Sequence, residues 1–192
     1  EIGMVFLFAQ RFHPAMKNVA EARTQYGKRT YFNILGPLVN PAGVSHQLLG
    51  VFDNKITSLM GEASVKAGIK RLWAVRSRDG MDEISIFSSP KIMQFSPREP
   101  LGSPMKFRYR KHTGDLSEIQ ISNVTESAKI ILDVLNNRAT DVQTQMVVIN
   151  AAAGLMAFGK TDDLKVAKAM AMESIESGRA FDKLNLLIAK SN

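Results

Sequence analysis

The stretch from Gln47 to Arg76 constrains the fold of this chain more than any other. Gln47-Leu48-Leu49-Gly50-Val51-Phe52 is a short apolar run that reads as a buried strand. Residues 56–68 read as a helix ending at a glycine, and Arg71-Leu72-Trp73-Ala74-Val75-Arg76 is a second strand. Strand, helix and strand at this spacing form a βαβ unit, because a helical crossover lets two strands lie side by side in parallel. The fold class that follows is α/β, a mixed central sheet flanked by helices.

The remaining elements fit around this unit. Pro14 stands where a first-turn helical residue would, and residues 15–26 read as a helix ended by Gly27. From Thr30 to Pro41 a short apolar helical turn gives way to a loop punctuated by Gly and Pro. Shorter strands are expected near residues 84–88, 91–95 and 105–110, with Pro90 in the turn between the first two. In the last of these, Phe107 and Tyr109 alternate with Lys106, Arg108 and Arg110. A nucleic-acid stacking groove wants aromatic and cationic groups on one face. Alternation separates them, which favours a half-buried edge strand with a solvated charged face. The final third is helical. Val124, Ala128, Ile131 and Leu135 share a helix face, with Asn123 and Glu126 placed as cap and partner. Residues 146–155 are apolar almost all round and are expected to be buried. Thr161 is expected to cap a third helix ending at Gly178, and Phe181, Leu184, Leu187 and Ile188 mark the inner face of a fourth.

Charge and composition narrow the chemistry. A net charge of +7 favours anionic partners: nucleic acid, an acidic membrane surface, or a small phosphorylated or carboxylated substrate. Zero cysteine excludes thiolate metal sites, thiol nucleophiles and disulfides, and fits a reducing, cytoplasmic location. The phosphate-loop, dinucleotide, nucleophile-elbow and zincin signatures do not occur, and His13, His46 and His112 are far apart in sequence. The opening run Glu1-Ile2-Gly3-Met4-Val5-Phe6-Leu7-Phe8-Ala9 is too short to span a membrane and lacks a positive leader region. An apolar start of this kind is expected to lie partway through a fold.

Two clusters carry chemistry. Asp79-Gly80-Met81-Asp82-Glu83 follows the second parallel strand, and ligands in such sheets gather beyond the carboxyl ends of the strands. Adjacent carboxylates there suit a hard cation such as Mg²⁺ shared with a substrate phosphate; the alternative is an ordinary turn with solvated acids. Arg23, on the helix begun by Pro14, can present a planar fork to a carboxylate. Alternatively it is a plain exposed helix residue, with His13 tied down near the helix start.

Several blocks together resemble the anthranilate phosphoribosyltransferase family. They are Phe8-Ala9 with His13-Pro14-Ala15-Met16, then Arg23, then Gly27-x-Arg29-Thr30-x-Phe32-Asn33-x-Leu35-Gly36-Pro37-Leu38-x-Asn40-Pro41-Ala42. Gln47-Leu48-Leu49-Gly50-Val51, the Asp79 to Glu83 block, Asn150-Ala151-Ala152-Ala153 and Ser177-Gly178-x-Ala180 complete the set. The resemblance implies transfer of a phosphoribosyl group from phosphoribosyl pyrophosphate to the amine of anthranilate, with release of pyrophosphate, in tryptophan biosynthesis. It further implies that Arg23 contacts the anthranilate carboxylate, that Asp82 and Glu83 hold Mg²⁺, and that Ala9 and His13 line the anthranilate path. Gln10 and Arg11 depart from the family pattern in that path. The family's Gly-rich phosphate loop and N-terminal helical domain, which forms the dimer contact, are not matched. Residues 1–192 are therefore expected to be the C-terminal portion of a nucleoside phosphorylase/phosphoribosyltransferase-type α/β domain, inactive alone, from an enzyme that is a homodimer. Nucleic acid and membrane are not expected partners. A pyrimidine nucleoside phosphorylase and a nucleic-acid-binding relative of the same fold are the competing readings; the Asn40-Pro41-Ala42 block and the Asp82–Glu83 pair favour the transferase.

Overall fold

Between residues 9 and 39 the described residues fall mainly into helical turns in short pieces. A computed structural model of the chain describes residues 2–28, 30 and 32–191. Glu1 and Arg29, and the side chains of Ala9, Gln10 and Asn33, on which parts of the reading above fall, lie outside the described residues. Helix α1 (Ala9–Phe12) is followed by a 3₁₀ segment (Pro14–Val19) and α2 (Ala20–Tyr26). The single helix expected over residues 15–26 is thus split in two. No residue of either part is buried, so no packed face holds the segment in one continuous α-helix. Gly27, at φ +64°, ends α2 as expected, donating its N–H to the Arg23 carbonyl at 3.1 Å. Next come α3 (Phe32–Leu35) and a 3₁₀ turn (Gly36–Val39).

The βαβ unit is present. Strand β1 (His46–Gly50) lies parallel to β2 (Arg71–Ser77), with Leu48 opposite Trp73 and Gly50 opposite Val75. The crossover is α4 (Thr57–Lys66), led by a 3₁₀ turn (Asn54–Ile56) whose cap is Asp53, its Oδ1 accepting the Lys55 N–H at 2.9 Å. β3 (Pro90–Ser96) and β4 (Glu99–Met105) continue the sheet antiparallel, in the order β1-β2-β3-β4.

Strand β2 is apolar through its centre, Leu72 to Val75, because both its faces are covered there. Leu72 and Ala74 join Leu49, Met60, Ile69 and Phe95 on the α4 side. Trp73 and Val75 join Ile92, Ile149, Ala152 and Ala153 on the other. That second layer is made by the C-terminal helices α5 (Val124–Leu135), α6 (Asp141–Phe158), α7 (Leu164–Glu176) and α8 (Arg179–Ser191). Helix α6 packs across β1 and β2 and against α7. Val148, Ile149, Ala152 and Ala153 are almost fully buried there, but the burial expected all round is not complete: Val147, Ala151 and Phe158 are exposed.

Four details differ from expectation. Pro90 is not a turn residue: it opens β3 opposite Ser77, the strand position at which proline is best tolerated. The last strand runs over Glu99–Met105, and residues 106–110 extend beyond it without a ladder partner among the described residues. The alternation nevertheless holds, with Lys106, Arg108 and Arg110 exposed and Phe107 and Tyr109 half-buried. Cations and rings face apart, so no stacking groove forms there. Asp163, not Thr161, caps α7: its carboxylate accepts the Lys165 and Val166 N–H groups at 2.7 and 3.3 Å. A charged acceptor suits the positive end of a helix better than a hydroxyl. Finally, residues 84–88 are buried or half-buried but form no strand, for reasons that lie in the site itself.

Candidate functional site

The loop after β2 is tied down at almost every step. Ser77, 2% exposed, ends the strand. Its N–H donates to the Met81 carbonyl at 2.8 Å, while its own carbonyl accepts the Gly80 N–H at 3.1 Å. Gly80 sits at φ +103°, which the tight turn requires and which side chains rarely adopt. The Ser77 hydroxyl donates to the Glu83 carbonyl at 2.7 Å and accepts the Ser85 N–H at 2.9 Å. From α6, the Asn150 Oδ1 accepts the Ile84 N–H at 2.9 Å, and its Nδ2 donates to the Ile84 carbonyl at 2.9 Å and to the Met146 carbonyl at 3.0 Å. The Tyr109 hydroxyl lies against the Ser85 carbonyl and within 2.7 Å of the Ser88 carbonyl. Burial, then the Asp79 charge, push its phenol above the usual range, so it remains a donor.

Asp82 and Glu83 stand exposed in the middle of this framework. The Asp82 carbonyl is backed against Gly50 so closely that a Cβ on residue 50 would lie 2.1 Å from its oxygen. Protein packed around the Glu83 carboxyl, then the neighbouring Asp82 charge, raise Glu83 above the ordinary carboxylate value. Among the described residues no group of three or more His, Cys, Asp or Glu could enclose a metal. Two adjacent carboxylates are instead the donor set that Mg²⁺ takes from a protein when substrate phosphates and water complete its shell, and on that chemistry the residues fit the ion.

Arg23 faces a different feature, a cavity of about 640 Å³ walled by Val19, Tyr26, Phe32, Ile34, Phe52 and Ile56 among others. Its guanidinium lies 5.9 Å from the centre of the Phe32 ring. Among the described residues Arg23 is the cation of this apolar, aromatic-walled space, an arrangement that suits a flat, largely apolar anion. Phe52 joins this cavity to the carboxylate loop. It follows β1 by two residues, its carbonyl accepts from Arg76 near the end of β2, and Gly50 at the end of β1 backs Asp82. Cavity and carboxylates therefore sit at the same, carboxyl end of the parallel pair.

His13 and Ala9 are not brought in so clearly. His13 is half-buried at the head of its 3₁₀ segment, its carbonyl accepting the Met16 N–H at 3.0 Å, and it is not among the described residues that line the Arg23 cavity. Ala9 opens α1, and its side chain lies outside the described residues. His46 packs on Phe158 and His112 lies 3.7 Å from Asp141, at opposite ends of α6, so these two histidines stay apart. Sequence reasoning missed the roles of Ser77, Phe52 and Ile56. The signal available was a serine ending a strand with an apolar centre, and two apolar residues, Phe52 and Ile56, in the stretch between the other strand and its crossover helix.

The described fold and site define a class. Over residues 1–181 the chain matches the glycosyl transferase family, a/b domain, and it belongs to that family. Within it, the chain is similar to the anthranilate phosphoribosyltransferase of Aquifex aeolicus, at 36% identity over 195 residues, covering all of this chain and 56% of that protein. The enzyme of the same name from Desulfatibacillum aliphaticivorans is 38% identical over 193 residues, with 98% and 56% covered. Among solved structures, anthranilate phosphoribosyltransferase from Thermus thermophilus superposes with a TM-score of 0.83 at 31% identity, covering 98% of this chain and 56% of that one. The Saccharomyces cerevisiae enzyme in complex with 4-fluoroanthranilate gives 0.86 at 25% identity, with 96% and 54% covered. The yeast enzyme in complex with phosphoribosyl pyrophosphate and Mg gives 0.83, also at 25% identity and with the same coverage. This chain thus spans about 56% of the length of the curated relatives it matches. No helix among the described residues is long and apolar enough to cross a membrane.

Proposed function

We propose that this chain carries the acceptor cavity and the metal-binding carboxylates of an anthranilate phosphoribosyltransferase, acting in tryptophan biosynthesis. The observation that carries the reading is the convergence, at one end of the parallel strands, of an apolar cavity holding Arg23 with the exposed Asp82–Glu83 pair. The names of its relatives support the substrates: anthranilate as acceptor and phosphoribosyl pyrophosphate as donor.

Arg23 pairs with the anthranilate carboxylate, and the aromatic walls of the cavity take the ring. So held, the amine meets the anomeric carbon. Its lone pair forms the N–C bond as the C–O bond to pyrophosphate breaks, and the nitrogen then sheds a proton. The amine is neutral at pH 7, so no strong base is required, and positioning supplies much of the acceleration. Asp82 and Glu83 would hold Mg²⁺, which when bound neutralises charge on the departing pyrophosphate. The Ala9 and His13 segment is assigned to the anthranilate path, with Gln10 and Arg11 altering its approach; this, like homodimer formation, rests on the resemblance alone. A cysteine-free chain fits a cytoplasmic setting.

The test is Asp82→Asn with Glu83→Gln in the full-length enzyme. Transferase activity is expected to fall at least about 100-fold, by analogy with the loss of a transition-state charge partner. Unchanged activity and unchanged Mg²⁺ dependence would overturn the metal assignment.

A further inference from the structure

We infer that Asn150 and Ser77 are positioning residues for the Asp82–Glu83 pair, holding both carboxylates for one cation; the inference rests on the Mg²⁺ reading above. In a β-strand, consecutive side chains point to opposite faces. Had the buried segment 84–88 formed a strand that ran back through residues 82 and 83, one carboxylate would have been turned away from the other. Instead the backbone bends at both Asp82 and Glu83. Ordinarily a buried segment that leaves the ladder would strand its peptide groups. Here side chains take the place of a neighbouring strand.

Asn150 satisfies the N–H and the carbonyl of Ile84 together, at 2.9 Å each, as a strand partner would. Asparagine offers a donor and an acceptor on one short planar group, which suits this double contact. Its place supports the role: it lies mid-way along α6, within residues 146–158, which are otherwise apolar or glycine and where asparagine is a poor helix former. Ser77 fixes the other flank, bridging the Glu83 carbonyl and the Ser85 N–H through one hydroxyl. Gly50 closes the third side against the Asp82 carbonyl. The peptide units on both sides of Glu83 are thereby set by groups from β1, β2 and α6. None of these three residues offers a carboxylate to the ion, so each acts through the pair.

The measurement is binding of Mn²⁺, as a paramagnetic stand-in for Mg²⁺, by electron paramagnetic resonance in the presence of pyrophosphate, using the full-length protein. Asn150→Ala and Ser77→Ala are expected to weaken Mn²⁺ binding about 10–100-fold, the range for partners that orient metal ligands. Ser77→Thr, which keeps the hydroxyl, is expected to restore most of the affinity. Circular dichroism confirms that each variant is folded. Should Asn150→Ala fail to fold, Ser77→Ala decides in the same titration, with Ser77→Thr as its rescue. If Asp82→Asn with Glu83→Gln abolishes binding while folded Asn150 and Ser77 variants bind as wild type, the positioning role is wrong and the metal reading stands. If the double carboxylate variant binds Mn²⁺ normally, both are wrong.

Discussion

Gly50 shows how a residue without a side chain can matter to a site. A methyl group there would have to occupy space 2.1 Å from the Asp82 carbonyl oxygen, and the nearest atoms are backbone, which cannot swing away. Gly50→Ala is therefore expected to cost about 1–3 kcal/mol in chemical denaturation, the usual penalty for overpacking, and to shift the carboxylate loop. A wild-type midpoint with wild-type Mg²⁺ dependence would contradict that contact. For Arg23→Ala, the KM for anthranilate is expected to rise about 10–100-fold, the scale of a lost charge-assisted bond, with phosphoribosyl pyrophosphate binding kept; the opposite split in steady-state kinetics would remove Arg23 from the acceptor side. Asp82, Glu83 and Arg23 could be nominated from the sequence because the cues are local, paired acids after a parallel strand and a cation on a helix, and only the resemblance gave them roles. The contacts that hold the pair were not, since Asn150 reaches Ile84 across 66 residues of sequence and no periodicity announces such a bond. Asn150 and Gly50 could be seen only as parts of a resemblance.

Among the elements, α5 shows what a short-range pattern does determine. The Asn123 Oδ1 accepts the Glu126 N–H at 2.9 Å as the spacing predicts, but the Glu126 carboxylate reaches one residue further back, to the Ser122 N–H and hydroxyl at 2.8 and 2.7 Å. Those bonds hold Glu126 below the ordinary glutamate value. A lowered carboxylate stabilises the folded state above its unfolded pKa, and the benefit disappears as the pH drops through the folded one. Glu126→Gln is thus expected to melt earlier than wild type near pH 7, with the gap closing on acidification below the glutamate range; a gap independent of pH would refute the assignment. Caps repeat within a few residues, which is why the start of α5 could be read in advance; its apolar face could not, since Val124, Ala128 and Ile131 are exposed and Val134 is the residue α5 buries. By contrast, the division of residues 15–26 into 3₁₀ and α segments depends on a missing packed face, and the loss of a strand at 84–88 depends on side chains from other elements.

For the molecule as a whole, the surplus of positive charge needs no nucleic acid to explain it. Lys106, Arg108 and Arg110 face solvent while Phe107 packs edge-on to Trp73, and the proposed substrates bring phosphates and a carboxylate. Pyrophosphate with Mg²⁺ is expected to raise the melting temperature of the full-length protein, with about 2.7 kcal/mol of stabilisation at 100 times the dissociation constant. Neither component alone should match the pair, and Asp82→Asn with Glu83→Gln should remove the effect; equal shifts in wild type and variant would count against the site. The βαβ unit and the helical final third followed from apolar runs and glycines, and they place the carboxyl ends of β1 and β2 where the site forms. The side-chain ties around Ile84 give that site an opening mode of its own. Its amide proton is guarded by a helix residue and not by a neighbouring strand, so hydrogen exchange at Ile84 should follow local motion of α6 relative to the sheet. On that expectation the carboxylate loop unfastens while β1 to β4 remain intact, and the seating of one helix becomes the latch on the end of the molecule proposed to take Mg²⁺.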